Sequence, residues 1–450
     1  MTADLRRREF LVQLAGSFAL VGCWPLRRAL AAEESSVLFA NVRVFDGIGD
    51  ALISGHVLIR GQRIEKIEQS AIAPPPGCRV IDGGNRVLMP GLTDAHWHTT
   101  MVANTMADLA QADTGLMYAN TVAEAQRTLL RGFTTIRDMA GPAFGIKQAI
   151  DSGVVPGPRV YPSGALLSAT GGHGDFSAPY DTPQILGGGN SHLETIGIFA
   201  VANGVPQVLA AAREQVKRGA SQIKIAVGGG VISDFDPIDS IQFTLDEIKA
   251  AVQVAEEWGT YVASHVYTSE GIRLALNGGV RSIEHGHLAD EATIQAIGAK
   301  KAWLSTQPFE PGDEPLTPAQ KAKTQDMVGA WKRILGWAKK HDVSVAFGTD
   351  LLFQPEGGHM QNLMLTRLAE VYSPAEVLKI ATSGNCALFA MSGRRDPYRA
   401  AKLGVLRPGA WADMLLIDGD PTKDIEVLKD YEKKFVVIVK DGTIHKNALR

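Results

Sequence analysis

The chain has 450 residues, 45% hydrophobic and 21% charged, with 47 Gly, an ordinary globular composition that excludes a disordered chain or a collagen-like repeat. Lys plus Arg number 45 against 48 for Asp plus Glu, a formal charge of -3, so no polycation exists to neutralise a phosphate backbone, which argues against nucleic acid as a partner. Three cysteines, Cys23, Cys78 and Cys386, are too few in so long a chain for a disulfide framework or a thiolate metal cluster.

Arg6, Arg7 and Arg8 precede Glu9, Phe10 and Leu11, and the chain then runs uncharged from Phe10 to Leu26 before Arg27 and Arg28. Residues 1–31 thereby resemble a bacterial twin-arginine export signal, so an exported protein, periplasmic or secreted, is expected. The uncharged run contains Gln13, Ser17 and Pro25 and falls short of the about 20 apolar residues that span a bilayer, so no transmembrane helix is expected in the mature form. Two processing routes stay open. Ala29-Leu30-Ala31 has the small-x-small form of ordinary cleavage, whereas Leu20-Val21-Gly22-Cys23 resembles a lipobox that would leave a lipid-anchored Cys23.

From Val37 to Val87, short alternating runs such as Val57-Leu58-Ile59 and Ile64-Glu65-Lys66-Ile67 are separated by Gly-Asp, Gly-Gln and Pro-Pro-Pro-Gly punctuation, as in antiparallel strands. The stretches 412–418 and 435–439 near the other end read the same way. The two ends, 36–88 and 400–450, are expected to form one small composite β domain, a β-sandwich, flanking a central unit over 89–399. In that unit eight apolar strand candidates alternate with helical patterns or long loops: Val87-Pro90, Phe133-Asp138, Arg159-Ser163, Gln222-Val227, Tyr261-Val266, Ser282-His285, Trp303-Gln307 and Ser344-Asp350. This is the form of an α/β fold built as a (β/α)8 TIM-like barrel. Helices are predicted at Val205-Arg218, Leu245-Trp258 and Ala319-Lys340, the second opening on Thr244 with Glu247 three residues on as a capping box. Gly171 to Gly204 is Gly-rich without clear periodicity, as a long active-site loop would be.

The polar residues at the strand ends suggest a metal site. Side chains alternate along an extended chain, so His96 and His98 in Asp94-Ala95-His96-Trp97-His98 point the same way and could grip one cation. Lys224 lies within the apolar Gln222-Ile223-Lys224-Ile225-Ala226, where an unpaired ammonium is costly and must be neutralised, salt-bridged or bound. His265, His285 and Asp350 also close predicted strands, and in a barrel those ends meet on the face that carries the chemistry. Any one of these groups alone could be a satisfied core residue or a helix cap; together they make a constellation.

With these residues in view, the chain resembles the metal-dependent amidohydrolase superfamily over nearly its whole mature length. Met89-Pro90-Gly91-Leu92-Thr93-Asp94-Ala95-His96-Trp97-His98 matches the family's first strand motif, and Gly404 to Asp413 its return to the β domain. Lys224, Ile283-Glu284-His285-Gly286 and Thr170-Gly171-Gly172-His173-Gly174-Asp175 are most similar to the subgroup of Xaa-Pro dipeptidases, related carboxypeptidase-type enzymes and ochratoxinase. The resemblance implies His96, His98 and Asp350 as ligands of one divalent metal and His265 and His285 of a second, bridged by Lys224 carboxylated by CO2. It implies Zn2+ as the default ion, although cobalt or manganese would satisfy the same donors. It further implies Asp350 as the proton shuttle, His173 as a hydrogen bond to the substrate carbonyl, and often a large homo-oligomer.

The substrate implied is a small amide or dipeptide whose C-terminal amino acid is released: ochratoxin A, an N-acyl amino acid or an Xaa-Pro dipeptide. Tyr267 follows His265 by two positions and should face the same cavity, where the subgroup handles the free carboxylate; His287 follows His285 by the same interval. Arg273 is a candidate second donor or a helix-surface arginine. Ala200-Val201 and Phe353 could line an acyl pocket or belong to the core. The alternative is a hydrolase of the same superfamily acting on a cyclic amide, an imidazolone or a lactone. Gly228-Gly229-Gly230 lacks the form of a dinucleotide or phosphate loop and reads as a tight turn at the rim of the site.

Overall fold

The computed structural model describes residues 36–310 and 316–449. The export signal expected over 1–31, and Cys23 within it, lie outside the described residues. None of the described helices is long and apolar enough to cross a membrane.

The two ends of the chain meet in one sheet. Strands β1 (Ser36–Val44), β2 (Ile53–Arg60), β3 (Arg63–Glu68), β4 (Arg79–Asp82) and β5 (Val87–Pro90) come from the first end, and the second end adds three more to make eight. The junction is β5, which runs parallel to β1 at Arg43↔Val87 and antiparallel to the strand Met414–Ile417 of the other end. Hydrogen bonds from Ile64 to Ala410 (3.0 Å) and from Ala412 to Gln62 (2.9 Å) bring the far edge, β3, back against the second end. The sheet thus curls about its own core, in which Phe39, Val57, Ile59, Leu88, Leu416 and Val437 are buried.

The middle of the chain forms parallel strands. These are β6 (Leu92–Trp97), β7 (Phe133–Asp138), β8 (Arg159–Pro162), β9 (Leu166–Ser168), β10 (Phe199–Val201), β11 (Ile223–Ala226), β12 (Val262–Thr268), β13 (Ser282–Leu288) and β14 (Trp303–Ser305); β15 (Met414–Ile417), β16 (Phe435–Lys440) and β17 (Thr443–Asn447) complete the terminal sheet. Three of them pair in the order β6-β7-β8 and six in the order β10-β9-β11-β12-β13-β14. Backbone hydrogen bonds link the two groups on both sides. Ser221, just before β11, donates to Pro162 of β8 at 2.7 Å. On the other side Leu304 of β14 donates to Ser344 and accepts from Ala346, while Phe347 accepts from Ala95 of β6 at 2.8 Å.

Two strand assignments differ from expectation. Val87–Pro90 belongs to the terminal sheet, and the first central strand is Leu92–Trp97. The switch occurs at Gly91, whose amide bonds Asp413 of the terminal sheet while the next amide, Leu92, bonds Gly132 beside β7. A Cβ at Gly91 would lie 2.0 Å from Thr134 Oγ1, so only glycine lets the chain cross so closely. Ser344–Asp350, expected as the eighth strand, makes a single β-bridge, Leu304↔Val345. Its backbone still bonds both neighbours, Leu304 of β14 and Ala95 and His96 of β6, and side chains add to these bonds: Asn385 brackets Phe347 at 2.9 and 2.8 Å, and Asp94 Oδ1 accepts from Thr349 at 3.2 Å.

Helices Gly204–Arg218 and Leu245–Trp258 form as expected, the latter with the Thr244 and Glu247 capping box. The single helix expected over Ala319-Lys340 is two, Pro318–Thr324 and Ala330–Lys340, because Gly329 takes φ +68 between them. The apolar faces of Gly204–Arg218, Leu245–Trp258 and Ala330–Lys340 pack on the outer side of the parallel strands, where Trp331, Ile248, Ile272, Ile225, Ile283 and Leu304 share one core, while Pro318–Thr324 lies over the cavity.

Candidate metal centre

The register of the parallel strands places the polar side chains within one or two residues of each other at the same end of the sheet. Ala226 is level with His265, His265 with Glu284, and Val266 with His285. His96 comes from β6, His98 follows it, Lys224 lies on β11, and Asp350 ends the segment that runs beside β6 and β14. All except Asp350 are buried, and the Asp350 side chain is 13% exposed.

Asp350 Oδ1 lies 2.8 Å from His98 Nε2 and 3.3 Å from His96 Nε2, and its Oδ2 lies 3.7 Å from His285 Nδ1. Ligand atoms of His96, His285 and Asp350 all fall within 4.8 Å of one another. The ring of His265 stands edge-on to His285 with centroids 4.3 Å apart.

Hydrogen-bond partners assign the tautomers. A neutral imidazole that donates from one nitrogen presents a lone pair at the other. His96 Nδ1 donates to Glu284 Oε2 (2.8 Å), His285 Nδ1 to Gln307 Oε1 (2.8 Å) and His265 Nε2 to the Gly229 carbonyl (3.1 Å). The lone pairs therefore sit on His96 Nε2, His285 Nε2 and His265 Nδ1. His285 Nε2 has no hydrogen-bond partner among the described residues, and His96 Nε2 faces a carboxylate oxygen, so each presents a lone pair that a cation could take up.

Charge follows the same logic. Burial pushes His96 down to about 4 and holds His265 and His285 well below their ordinary value, so these rings are neutral at pH 7. Burial opposes the charge of Asp350, but His96 and His98 beside it hold its carboxyl below the usual range. Lys224 is pushed down by burial to about 8, against the pull of Glu284 and Asp350, and its Nζ has no hydrogen-bond partner among the described residues. An amine that deprotonates so easily, beside converging lone pairs, can act as a nucleophile or, once modified, as a ligand. The backbone is strained at the site: His285 and Asp350 adopt φ +74 and +57, at a cost on the order of 1–3 kcal/mol each.

The cavity above these groups measures about 670 Å³ and brings in other expected residues. Tyr267 stacks on His285 at 4.7 Å and His173 on His265 at 3.9 Å. His287 lines the same space, its Nε2 donating to the Gln307 carbonyl at 2.9 Å. Phe353 lines it too, with Phe199 in place of the expected Ala200-Val201. Arg273 is elsewhere: it is about half exposed and forks onto Asp290 at 2.9 and 3.0 Å on the surface. Sequence reasoning assigned no role to Glu284, which Arg137 grips at 2.8 and 2.9 Å and to which Ser282 donates at 2.6 Å, all three fully buried. A carboxylate and a guanidinium inside apolar strands were the signal, the same one that exposed Lys224.

The profile of the amidohydrolase family matches residues 87–446, and the chain belongs to that family. Ochratoxinase of Aspergillus niger is 30% identical over 431 residues, covering 91% of this chain and 86% of the fungal protein. Among solved structures, a prolidase complexed with N-methylphosphonate-L-proline is 32% identical with a TM-score of 0.84, covering 92% of this chain and 100% of that one. An amidohydrolase is 34% identical with a TM-score of 0.83 over the same shares. Within the family the chain falls in the subgroup of Xaa-Pro dipeptidases and ochratoxinase, and it is a hydrolase acting on amide bonds. The family generally uses divalent metals, and His96, His285 and Asp350 form a group that could hold one.

Proposed function

We propose that this chain is a binuclear metal-dependent amidohydrolase of carboxypeptidase type, which releases a C-terminal amino acid from an acyl or peptidyl partner. The observation that carries the reading is Lys224, a buried ammonium without a hydrogen-bond partner among the described residues, within electrostatic reach of His96, His265, His285 and the Asp350 carboxylate. As the free amine, Lys224 adds to CO2 and loses a proton, and the resulting carbamate supplies oxygen donors in place of a buried cation. His96, His98 and Asp350 would hold one ion, His265 and His285 the other, with the Lys224 carbamate shared. Two divalent ions, Zn2+ by donor chemistry, supply an activated water near neutral pH and polarise the substrate carbonyl.

In this reading, Asp350 takes the proton of the attacking water and passes it to the leaving amine. His173 hydrogen-bonds the carbonyl oxygen as charge develops there. Tyr267 meets the substrate's free carboxylate, with His287 beside it. Phe199 and Phe353 receive an apolar acyl group, which suits ochratoxin A and N-acyl amino acids as well as Xaa-Pro dipeptides. The bonds that link β8 to β11 and β14 to β6 support an eight-membered parallel barrel over 89–399, completed by residues 344–347, with the curled terminal sheet as a β-sandwich domain.

The test is hydrolysis by the metal-loaded mature protein of each N-acyl or peptidyl amino acid beside its C-terminal amide, with metal content measured in parallel. Release of the amino acid from free-carboxylate substrates alone, with two ions per chain that fall on Lys224→Ala, is expected. Turnover of cyclic amides or lactones instead would overturn the substrate assignment.

A further inference from the structure

His173 reaches the cavity from an irregular loop after β9, and the groups that hold its ring come from a different loop and a different helix. Its Nδ1 lies 2.8 Å from Ser233 Oγ and 3.5 Å from Asp236 Oδ2, both on the loop that follows β11. Asp236 is 2% exposed. Its Oδ2 accepts from the Gly230 amide at 2.7 Å and from Gln242 Nε2 at 3.4 Å, while Gln242 Oε1 accepts from the His173 amide at 2.8 Å. Asp236 Oδ1 has no hydrogen-bond partner among the described residues, and Lys323 Nζ lies 3.5 Å from it.

Lys323 belongs to the short helix Pro318–Thr324, which covers one side of the cavity. Its ammonium donates to three carbonyls of the Asp236 loop, Gly230 at 3.0 Å, Ser233 at 2.6 Å and Asp236 at 2.9 Å. Gln320 on the same helix adds a bond to the Ile232 carbonyl at 2.9 Å. An ammonium whose three protons are all spent on one loop's backbone is a staple for that loop, and the loop's carboxylate is turned toward the imidazole.

We propose that Asp236 and Lys323 are positioning residues for His173: Asp236 with Ser233 anchors the Nδ1 edge so that Nε2 is presented to the substrate carbonyl, and Lys323 holds the loop that carries Asp236. A histidine whose one nitrogen bonds a hydroxyl at 2.8 Å with a carboxylate oxygen 3.5 Å away has both its tautomer and its ring plane biased, because the negative charge favours a proton on that nitrogen. Here that carboxylate is in turn neutralised from the cavity's covering helix, so the His173 ring is built from three chain segments. The inference rests on the reading of His173 as the group that meets the substrate carbonyl.

The test is a double-mutant cycle on the metal-loaded enzyme. Asp236→Asn and Lys323→Met should each lower kcat by about 10-fold or more while KM stays within about threefold, and Lys323→Arg should restore most of the loss. In a His173→Ala background the same substitutions should change kcat by less than about twofold, because there is no ring left to position. Equal losses in both backgrounds would make Asp236 and Lys323 merely structural and overturn the proposal. A second readout needs no substrate. In the 15N-histidine spectrum of the holoenzyme, the signal lost on His173→Ala should report an Nδ1–H tautomer that Asp236→Asn and Lys323→Met alter, and an unaltered signal in both variants refutes the coupling. An altered tautomer in a protein that spares every free-carboxylate substrate would sink the proposed function and leave the positioning standing.

Discussion

Glu284 Oε2 accepts the Nδ1 proton of His96 at 2.8 Å, and both side chains are completely withdrawn from solvent. Burial opposes the charge of Glu284, but Arg137 on its other flank holds the carboxyl far below its ordinary range, so it stays an acceptor across the whole working pH range. His96 is thereby locked with its Nε2 lone pair toward Asp350. Glu284→Gln keeps the volume and one acceptor but removes the charge that fixes the tautomer. It is expected to weaken metal binding by about 10–100-fold. Competition of the purified variant against a chelator measures this, and an unchanged affinity would show that the ring is oriented by packing alone.

Lys224 and Asp350 differ in what their loss should do to the apo protein. Lys224→Ala removes a buried cation whose desolvation outweighs the pull of Glu284 and Asp350 and which has no hydrogen-bond partner among the described residues, so the metal-free variant should be at least as stable as the metal-free parent, although hydrolysis is abolished and the metal content falls. Asp350→Ala also abolishes hydrolysis. It leaves His98 Nε2 without the carboxylate 2.8 Å away and should lower stability by about 1–3 kcal/mol. Denaturant unfolding in chelator, with metal analysis, checks both; near-normal turnover in the Asp350 variant would remove it as proton shuttle.

Tyr267 stacks on one face of His285 at the wall of the cavity. If its hydroxyl meets the substrate carboxylate, Tyr267→Phe raises KM for a carboxylate-bearing substrate more than for the matching amide, while kcat changes little. Steady-state kinetics on the pair decide the point, since equal effects would place the carboxylate elsewhere.

Gly230 touches the site through its missing side chain. A Cβ there would fall 1.8 Å from His173 Nδ1, closer than any contact the ring can absorb in place. Gly230→Ala must therefore displace the imidazole, and a shift of about 1 Å at a substrate-contacting group costs up to about 100-fold in rate. The expected result is a folded, metal-replete enzyme with kcat reduced by that order, and full activity would show that His173 is not needed where it lies.

The parts of the centre that could be read from sequence are those where local geometry decides. His96 and His98 share a direction because extended chain alternates, and Lys224 announced itself as a charge in an apolar run. The misreadings lie where tertiary contacts override local pattern. Val87-Pro90 reads as the first central strand, yet the chain changes sheets at Gly91 and that strand is Leu92–Trp97, a step visible only in the packing of Thr134 against that glycine. Residues 344–350 look like a strand and bond both β14 and β6, yet form a single β-bridge, because Asn385 and Asp94 take the amides of Phe347 and Thr349. Arg273 could be weighed only as cavity donor or surface residue until Asp290, on another helix start, settled it. Ser233 and Asp236 carry no periodic signal, because loop residues find their partners through the fold.

Asp138 ends β7 beside the metal centre, its Oδ2 accepting from the Thr99 amide at 2.7 Å and its Oδ1 buried without a hydrogen-bond partner among the described residues. Burial pushes its carboxyl up to about 6 from an ordinary 3.8, against smaller pulls from Thr99 and His98. The native state then holds a proton between about pH 4 and 6 that the unfolded chain has released, so Asp138's contribution to stability is present below that window and is lost as pH rises through it. An asparagine in its place cannot titrate. The unfolding free energy of Asp138→Asn relative to the parent should accordingly grow between pH 4 and 6 and level off above, by at most about 3 kcal/mol at about 1.4 kcal/mol per pKa unit. Denaturant titrations of both proteins at pH 4, 5, 6 and 8 measure the difference directly. A difference independent of pH would mean that the Asp138 carboxylate is ionised in the folded protein throughout, its charge met by His98 or by a bound cation.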